Sequence, residues 1–101
     1  MSNTIERLVI TIRSRKEGDI KSSYTAYLLS KGIDHCLNKL KEEVTELEDA
    51  IKNKKNTVHE SADVIYHLLV TLESAGINFD DIITELKKRK GISGFKEKES
   101  R

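Results

Sequence analysis

No proline interrupts this chain, and four of its five glycines, Gly18, Gly32, Gly76 and Gly91, each follow a helix-like stretch. Glycine is favoured just past a helix end because it enters the left-handed region without a Cβ penalty, whereas proline breaks a helix. This punctuation marks out helices joined by short connections. The expected fold class is all-α, with four to five helices forming a bundle.

Asn3, with Glu6 three residues on, has the form of a capping box. Ile5, Leu8, Val9 and Ile12 then give a helical stripe, although the β-branched run up to Ile12 leaves a strand as the lesser reading. Residues 17–22 form a charged loop. Ser23 can cap a short helix closed by Lys31-Gly32, and Asp34 can cap a third helix reaching about Asn53. Along it Leu37, Leu40, Val44, Leu47 and Ile51 repeat at spacings of three and four, a packing seam. Thr57 can cap a fourth helix, with Val58, Ala62, Ile65, Leu69 and Leu72 on one face. Asn78 can open a fifth, with Phe79, Ile82, Ile83 and Leu86 inward. Lys87, Lys88, Arg89 and Lys90 crowd its end, where the helix dipole favours cations. Residues 1–91 read as one domain and 92–101 as a charged tail expected to be mobile.

At 101 residues with 37% apolar content the core is lean. A chain of this size leaves much of its surface exposed, so the bundle is expected to be completed by dimerisation. The 18 basic and 17 acidic residues nearly balance, unlike the basic excess of a nucleic-acid binder. A single cysteine, Cys36, excludes an internal disulfide and fits a reducing compartment. Nothing around it activates a nucleophile, so it reads as core. No 18-residue apolar run and no basic-plus-apolar leader are present, so no membrane association and a cytoplasmic location are expected.

Two acidic clusters carry the chemistry. Glu42, Glu43 and Glu46 share a stripe with Lys39 and Ala50, about 100° around the third helix from its apolar seam. Glu60 and Asp63 lie on the fourth helix, where Asp63 is the only formally charged residue from Ser61 to Leu72. A buried Asp is rare unless paired or bound to a metal. If the two helices face one another, five acids converge. Two carboxylates about 4 Å apart repel by roughly 4 kcal/mol at an effective dielectric near 20. Such a cluster calls for a counter-ion, and an all-oxygen set suits Mg²⁺ or Mn²⁺, hence phosphate chemistry. The Glu-x-x-His signature of ferritin-like di-iron bundles is lacking, since Asp63 stands where that histidine would be.

Each feature has a plainer reading. Glutamate-rich helix faces are commonly just solvated. Thr57-Val58-His59-Glu60 is itself a capping-box sequence, in which Glu60 would only satisfy the Thr57 backbone N–H. His67, one turn beyond Asp63, reads first as a half-buried histidine bonded to a neighbour. His35 and His59 read as surface residues, Glu48 and Asp49 as solvated. The hydroxyls of Tyr24 and Thr25 can cap or can meet a phosphate.

Ser23-Tyr24-Thr25, then Gly32, then Lys39-Leu40-Lys41-Glu42-Glu43-Val44-Thr45-Glu46, then Glu60-Ser61-Ala62-Asp63-Val64-Ile65-Tyr66-His67 occur in that order. This series resembles the phosphoribosyl-ATP pyrophosphatase family of histidine biosynthesis, from about Ile5 to Arg89. The paired Glu-Glu-x-x-Glu and Glu-x-x-Asp elements alone point to the wider all-α nucleotide pyrophosphohydrolase superfamily. The resemblance implies a Mg²⁺-dependent homodimeric hydrolase that cleaves the α–β phosphoanhydride of phosphoribosyl-ATP. It implies Glu43, Glu46, Glu60 and Asp63 as metal ligands. Glu42 and Glu43 are the expected catalytic acids, Glu42 as an outer ligand or as a group orienting the attacking water. Tyr24, Thr25, Lys39 and His67 are the expected substrate contacts, with Arg13, Arg15, Lys16 and Lys87 to Arg89 as weaker candidates. Two other classes stay open: a housekeeping nucleoside-triphosphate pyrophosphatase, and a non-enzymatic helical interaction module.

Overall fold

The structure, a computed structural model, describes residues 4–90 and 94–99. These form the helices α1 (Thr4–Ser14), α2 (Tyr24–Lys31), α3 (Ile33–Asn53), α4 (Thr57–Ser74), α5 (Phe79–Arg89) and α6 (Gly94–Glu99), with no strand among the described residues. The strand alternative for residues 8–12 is therefore set aside. The proposed Asn3 cap and Gly91 lie outside the described residues. The described part of the 92–101 tail is the short helix α6.

Local chemistry explains most of the boundaries. Ser23 is extended, and its Oγ accepts from the Ala26 N–H at 3.1 Å, as an N-cap should. Asn78 does the same for α5, with Oδ1 accepting from the Asp80 N–H at 2.9 Å. Gly32 serves both α2 and α3. Its φ of 90° favours glycine, its N–H donates to Leu29, and its carbonyl accepts from Cys36. Asp34 is consequently not the cap of α3. It lies within the first turn, where its charge still suits the helix dipole.

The turn between α3 and α4 differs from expectation in a way that matters for the site. Lys54 and Asn56 both take left-handed conformations, with φ of 56° and 61°. Asn56, not Thr57, is the N-cap of α4, and its side chain makes no capping bond. Thr57 is already helical, and its hydroxyl donates back across the turn to the Ala50 carbonyl at 3.3 Å. The Glu60 N–H bonds to the Asn56 carbonyl at 3.0 Å. The Thr57–Glu60 capping box is not formed, because the helix begins one residue earlier than that box requires.

Ile12, Leu28, Cys36, Leu69 and Val70 make the buried core, drawn from the first four helices. Cys36 is core, as expected, and its thiol donates to the Leu28 carbonyl at 3.4 Å. Burial pushes its pKa up, the reverse of nucleophile activation. Thr71 bridges the helices, its hydroxyl contacting the carbonyls of His67 at 2.7 Å and Cys36 at 3.3 Å.

The face that α3 turns to α4 carries Cys36, Glu43 and Ala50. The expected apolar seam lies beside it and stays largely open: Leu37, Val44 and Ile51 are exposed, Ile51 by 57%. The neighbouring surface of α4 is open too, with Val58 at 85% and Ile65 and Leu68 exposed. On α5, Leu86 is exposed, while Ile82 and Ile83 are half-buried and Phe79 packs on the core.

Candidate active site

The antiparallel α3–α4 hairpin brings four of the five expected acids together. Glu43, Glu46 and Glu60 each offer a carboxylate oxygen, all within 4.8 Å of one another. Glu60, Asp63 and His59 make a second, overlapping set with the same spacing. Glu42 turns away, mostly in solvent, and meets the Lys39 ammonium at 3.6 Å. The geometry thus joins Glu43, Glu46, Glu60 and Asp63 and leaves Glu42 at the rim.

One oxygen of Glu43 and one of Glu60 are buried without a hydrogen-bond partner. An unpartnered buried carboxylate oxygen costs more than an ordinary lost hydrogen bond. Glu43 is pushed up to about 7, chiefly by burial, then by its hydrogen bond with Glu46 and the negative charges of Glu46, Asp63 and Glu60. Orphaned oxygens, mutual repulsion and an all-oxygen donor set fit a hard divalent cation.

His59 was read as a surface residue, and it is exposed. Even so, its Nε2 lies 3.3 Å from Asp63 Oδ2. The i,i+4 spacing was the available signal. His67 is buried, at 6% exposure, deeper than the half-buried expectation. Its Nδ1 lies 3.0 Å from the Asp63 carbonyl. A carbonyl can only accept, so Nδ1 carries the proton, and in the neutral ring Nε2 is left as a buried, unpartnered acceptor. Tyr24 and Tyr66 approach the His67 ring edge-on, at 6.1 and 5.0 Å. The Thr25 hydroxyl is bonded to the Tyr66 hydroxyl, which fixes that ring. His35 also departs from expectation: it is partly buried, with a hidden Nε2, and sits edge-on to Tyr27 at 6.0 Å.

Beside the carboxylates a cleft of about 240 Å³ is lined by Glu46, Asp49, Asn53, Lys55, Asn56 and Glu60. Asp49, read as merely solvated, is therefore at the mouth of the site. Three of the weaker cationic candidates have other partners. Arg13 ties α1 to Glu73 of α4 at 3.3 Å, and Lys88 and Arg89 pair with Glu85.

Residues 5–90 match the model of the family described as phosphoribosyl-ATP pyrophosphohydrolase. The chain belongs to that family. It is 48% identical to a phosphoribosyl-ATP pyrophosphatase of Dechloromonas aromatica, over 96% of this chain and 92% of the relative. A relative of the same name from Rhodobacter capsulatus is 42% identical over 96% of both chains. The chain is also 44% identical to the histidine biosynthesis bifunctional protein HisIE of Wolinella succinogenes, matching 43% of that longer protein. No helix among the described residues is long and apolar enough to cross a membrane.

Proposed function

We propose that this chain hydrolyses phosphoribosyl-ATP to phosphoribosyl-AMP and pyrophosphate, the second step of histidine biosynthesis, at the α3–α4 carboxylate site. The observation that carries this reading is the convergence of Glu43, Glu46 and Glu60, each with a carboxylate oxygen within 4.8 Å of the others, where Glu43 and Glu60 each also keep a buried oxygen without a partner, in a chain of this family. Glu43, Glu46, Glu60 and Asp63 would hold Mg²⁺, with Mn²⁺ as a substitute. The bound cation supplies positive charge that screens the polyphosphate and stabilises the pyrophosphate leaving group.

The protein's own groups do the rest. Glu43, raised to about 7, exchanges a proton near neutral pH and must be ionised to act as a ligand. Glu42, at the rim and paired with Lys39 at 3.6 Å, would orient a water from the solvent side. Lys39 adds positive charge beside the acids for the triphosphate end. His67 is bonded to the Asp63 carbonyl, Tyr24 lies edge-on to His67, and Thr25 is bonded to Tyr66, so these side chains would line the approach for the nucleoside.

The active form is a cytoplasmic homodimer. The open apolar surface of Leu37, Val44, Ile51, Val58, Ile65 and Leu68 spans both helices that carry the acids. Covering it with a second copy would supply the apolar burial that one small chain lacks and would stiffen the hairpin.

The direct test is pyrophosphate release from phosphoribosyl-ATP, with and without Mg²⁺. Release that requires the metal is expected. Turnover of deoxynucleoside triphosphates but not of phosphoribosyl-ATP would replace this reading with a housekeeping pyrophosphatase. No turnover of any nucleotide would leave a helical interaction module.

A further inference from the structure

A row of side chains leads away from the carboxylates along α2. His67 is bonded to the Asp63 carbonyl and meets Tyr24 edge-on at 6.1 Å. Tyr24 is stacked towards Tyr27, with ring centroids 6.2 Å apart and planes 20° from parallel. The Lys31 ammonium lies 5.4 Å from the centre of the Tyr27 ring. The chemistry along this row runs from carboxylates through aromatic rings to a cation. Phosphoribosyl-ATP runs in the same order: triphosphate, ribose, adenine, second ribose, 5′-monophosphate.

Two observations separate Tyr24 and Lys31 from ordinary core packing, while Tyr27 between them is half-buried and packs against the core. Tyr24 is 52% exposed, so its ring is presented to solvent rather than buried in the core. Lys31 is exposed and has no carboxylate within ion-pair distance among the described residues, while Lys39 is engaged by Glu42 and Arg13 by Glu73. Aromatic faces accept a flat base, and a lysine held over a ring is a pre-positioned point charge for phosphate.

We propose that Tyr24 and Tyr27 form the ledge for the purine and second ribose, and that Lys31 pairs with the 5′-monophosphate. Lys31 is then the residue that separates phosphoribosyl-ATP from ATP. ATP fills the carboxylate end equally well but brings nothing to the far end. This subsite rests on the function proposed above.

The test compares Lys31→Ala with the unaltered protein on phosphoribosyl-ATP and on ATP, and by calorimetry on phosphoribosyl-AMP and AMP without metal. The variant should raise KM for phosphoribosyl-ATP roughly ten- to hundredfold, the range for losing one hydrogen bond to a charged group, with kcat little changed. Kinetics on ATP should not move. Binding of phosphoribosyl-AMP should weaken by a similar factor and that of AMP should not, and Lys31→Arg should restore most of the loss. Equal losses on both nucleotides, or no loss on either, would overturn the assignment. Should the unaltered protein fail to turn over phosphoribosyl-ATP, the function itself falls. The binding arm still decides the subsite: a preference for phosphoribosyl-AMP over AMP that Lys31→Ala removes supports it, and equal binding by the unaltered protein refutes it.

Discussion

Glu43 of α3 and Glu60 of α4 face each other across the helix pair, each with one carboxylate oxygen buried and without a partner. The fold forms this arrangement from two helices that are separately unremarkable. A solvated acidic face would leave those oxygens in water, and a capping box would use one of them. Neither describes Glu60.

The metal-free protein should lose stability as pH rises. Glu43 binds its proton more tightly in the fold, at about 7, than in the unfolded chain, near 4.5. Between those values the folded state holds more protons, so unfolding becomes easier with increasing pH. The loss sets in above about pH 4.5 and is complete once pH passes the folded value. Urea melts in EDTA from pH 4.5 to 8 check this, and added Mg²⁺ should flatten or reverse the slope. A rising midpoint over that range in EDTA would contradict the burial assigned to Glu43.

Glu60→Gln should fold normally in EDTA, with thermal stability at least equal to the original, since it relieves repulsion and breaks no cap. Turnover should fall about a hundredfold or more, the order seen when transition-state charge stabilisation is damaged. The rise in melting temperature on adding Mg²⁺ should shrink as well. Unaltered turnover and an unaltered Mg²⁺ response would remove Glu60 from the metal set.

Asp63→Asn tests the other end of the cluster. It gives up the exposed contact with His59, worth at most about 1 kcal/mol, and removes one repelling charge. Folding in EDTA should therefore persist while turnover is abolished. An unfolded variant would mean that Asp63 is structural.

Ile51→Glu places a charge in the middle of the open apolar surface. The charge is harmless to an isolated protomer, in which Ile51 is 57% exposed, and costly in a packed interface. Sedimentation should give about twice the 11.5 kDa chain mass for the original and the monomer mass for the variant. A dimer that survives the change would move the interface elsewhere.

Lys54→Gly should stabilise the protein by roughly 0.5–1 kcal/mol, because a left-handed lysine carries a Cβ clash that glycine lacks, partly offset by the freedom glycine adds to the unfolded chain. Thermal unfolding of the two forms, both in EDTA, is the comparison that decides it.

Much of this was legible in the residues. Ser23 and Asn78 cap as read, Gly32 ends α2, and the Glu43, Glu46, Glu60 and Asp63 set follows from helical spacing once α3 and α4 are taken as adjacent. Two kinds of information were not there. Periodicity finds an apolar stripe but not what covers it: Leu37, Val44 and Ile51 read as a packing seam, and within one chain they stay exposed because α3 turns Cys36, Glu43 and Ala50 to α4. Cap positions depend on backbone angles, and with two left-handed residues in one turn the N-cap of α4 is Asn56 rather than Thr57. Missing that shift made the capping-box reading of Glu60 look viable.

The short turn between α3 and α4 also sets the angular phase of the site. Lys54 and Asn56 close this turn in left-handed conformations, so adding or deleting one residue between Asn53 and Thr57 would force a different turn and re-aim Glu60 and Asp63 relative to Glu43. The Thr57 hydroxyl clamped on Ala50 holds that phase mechanically. Length in this turn is therefore under the same constraint as the carboxylates themselves, and natural variation in this chain should appear there as substitution rather than insertion.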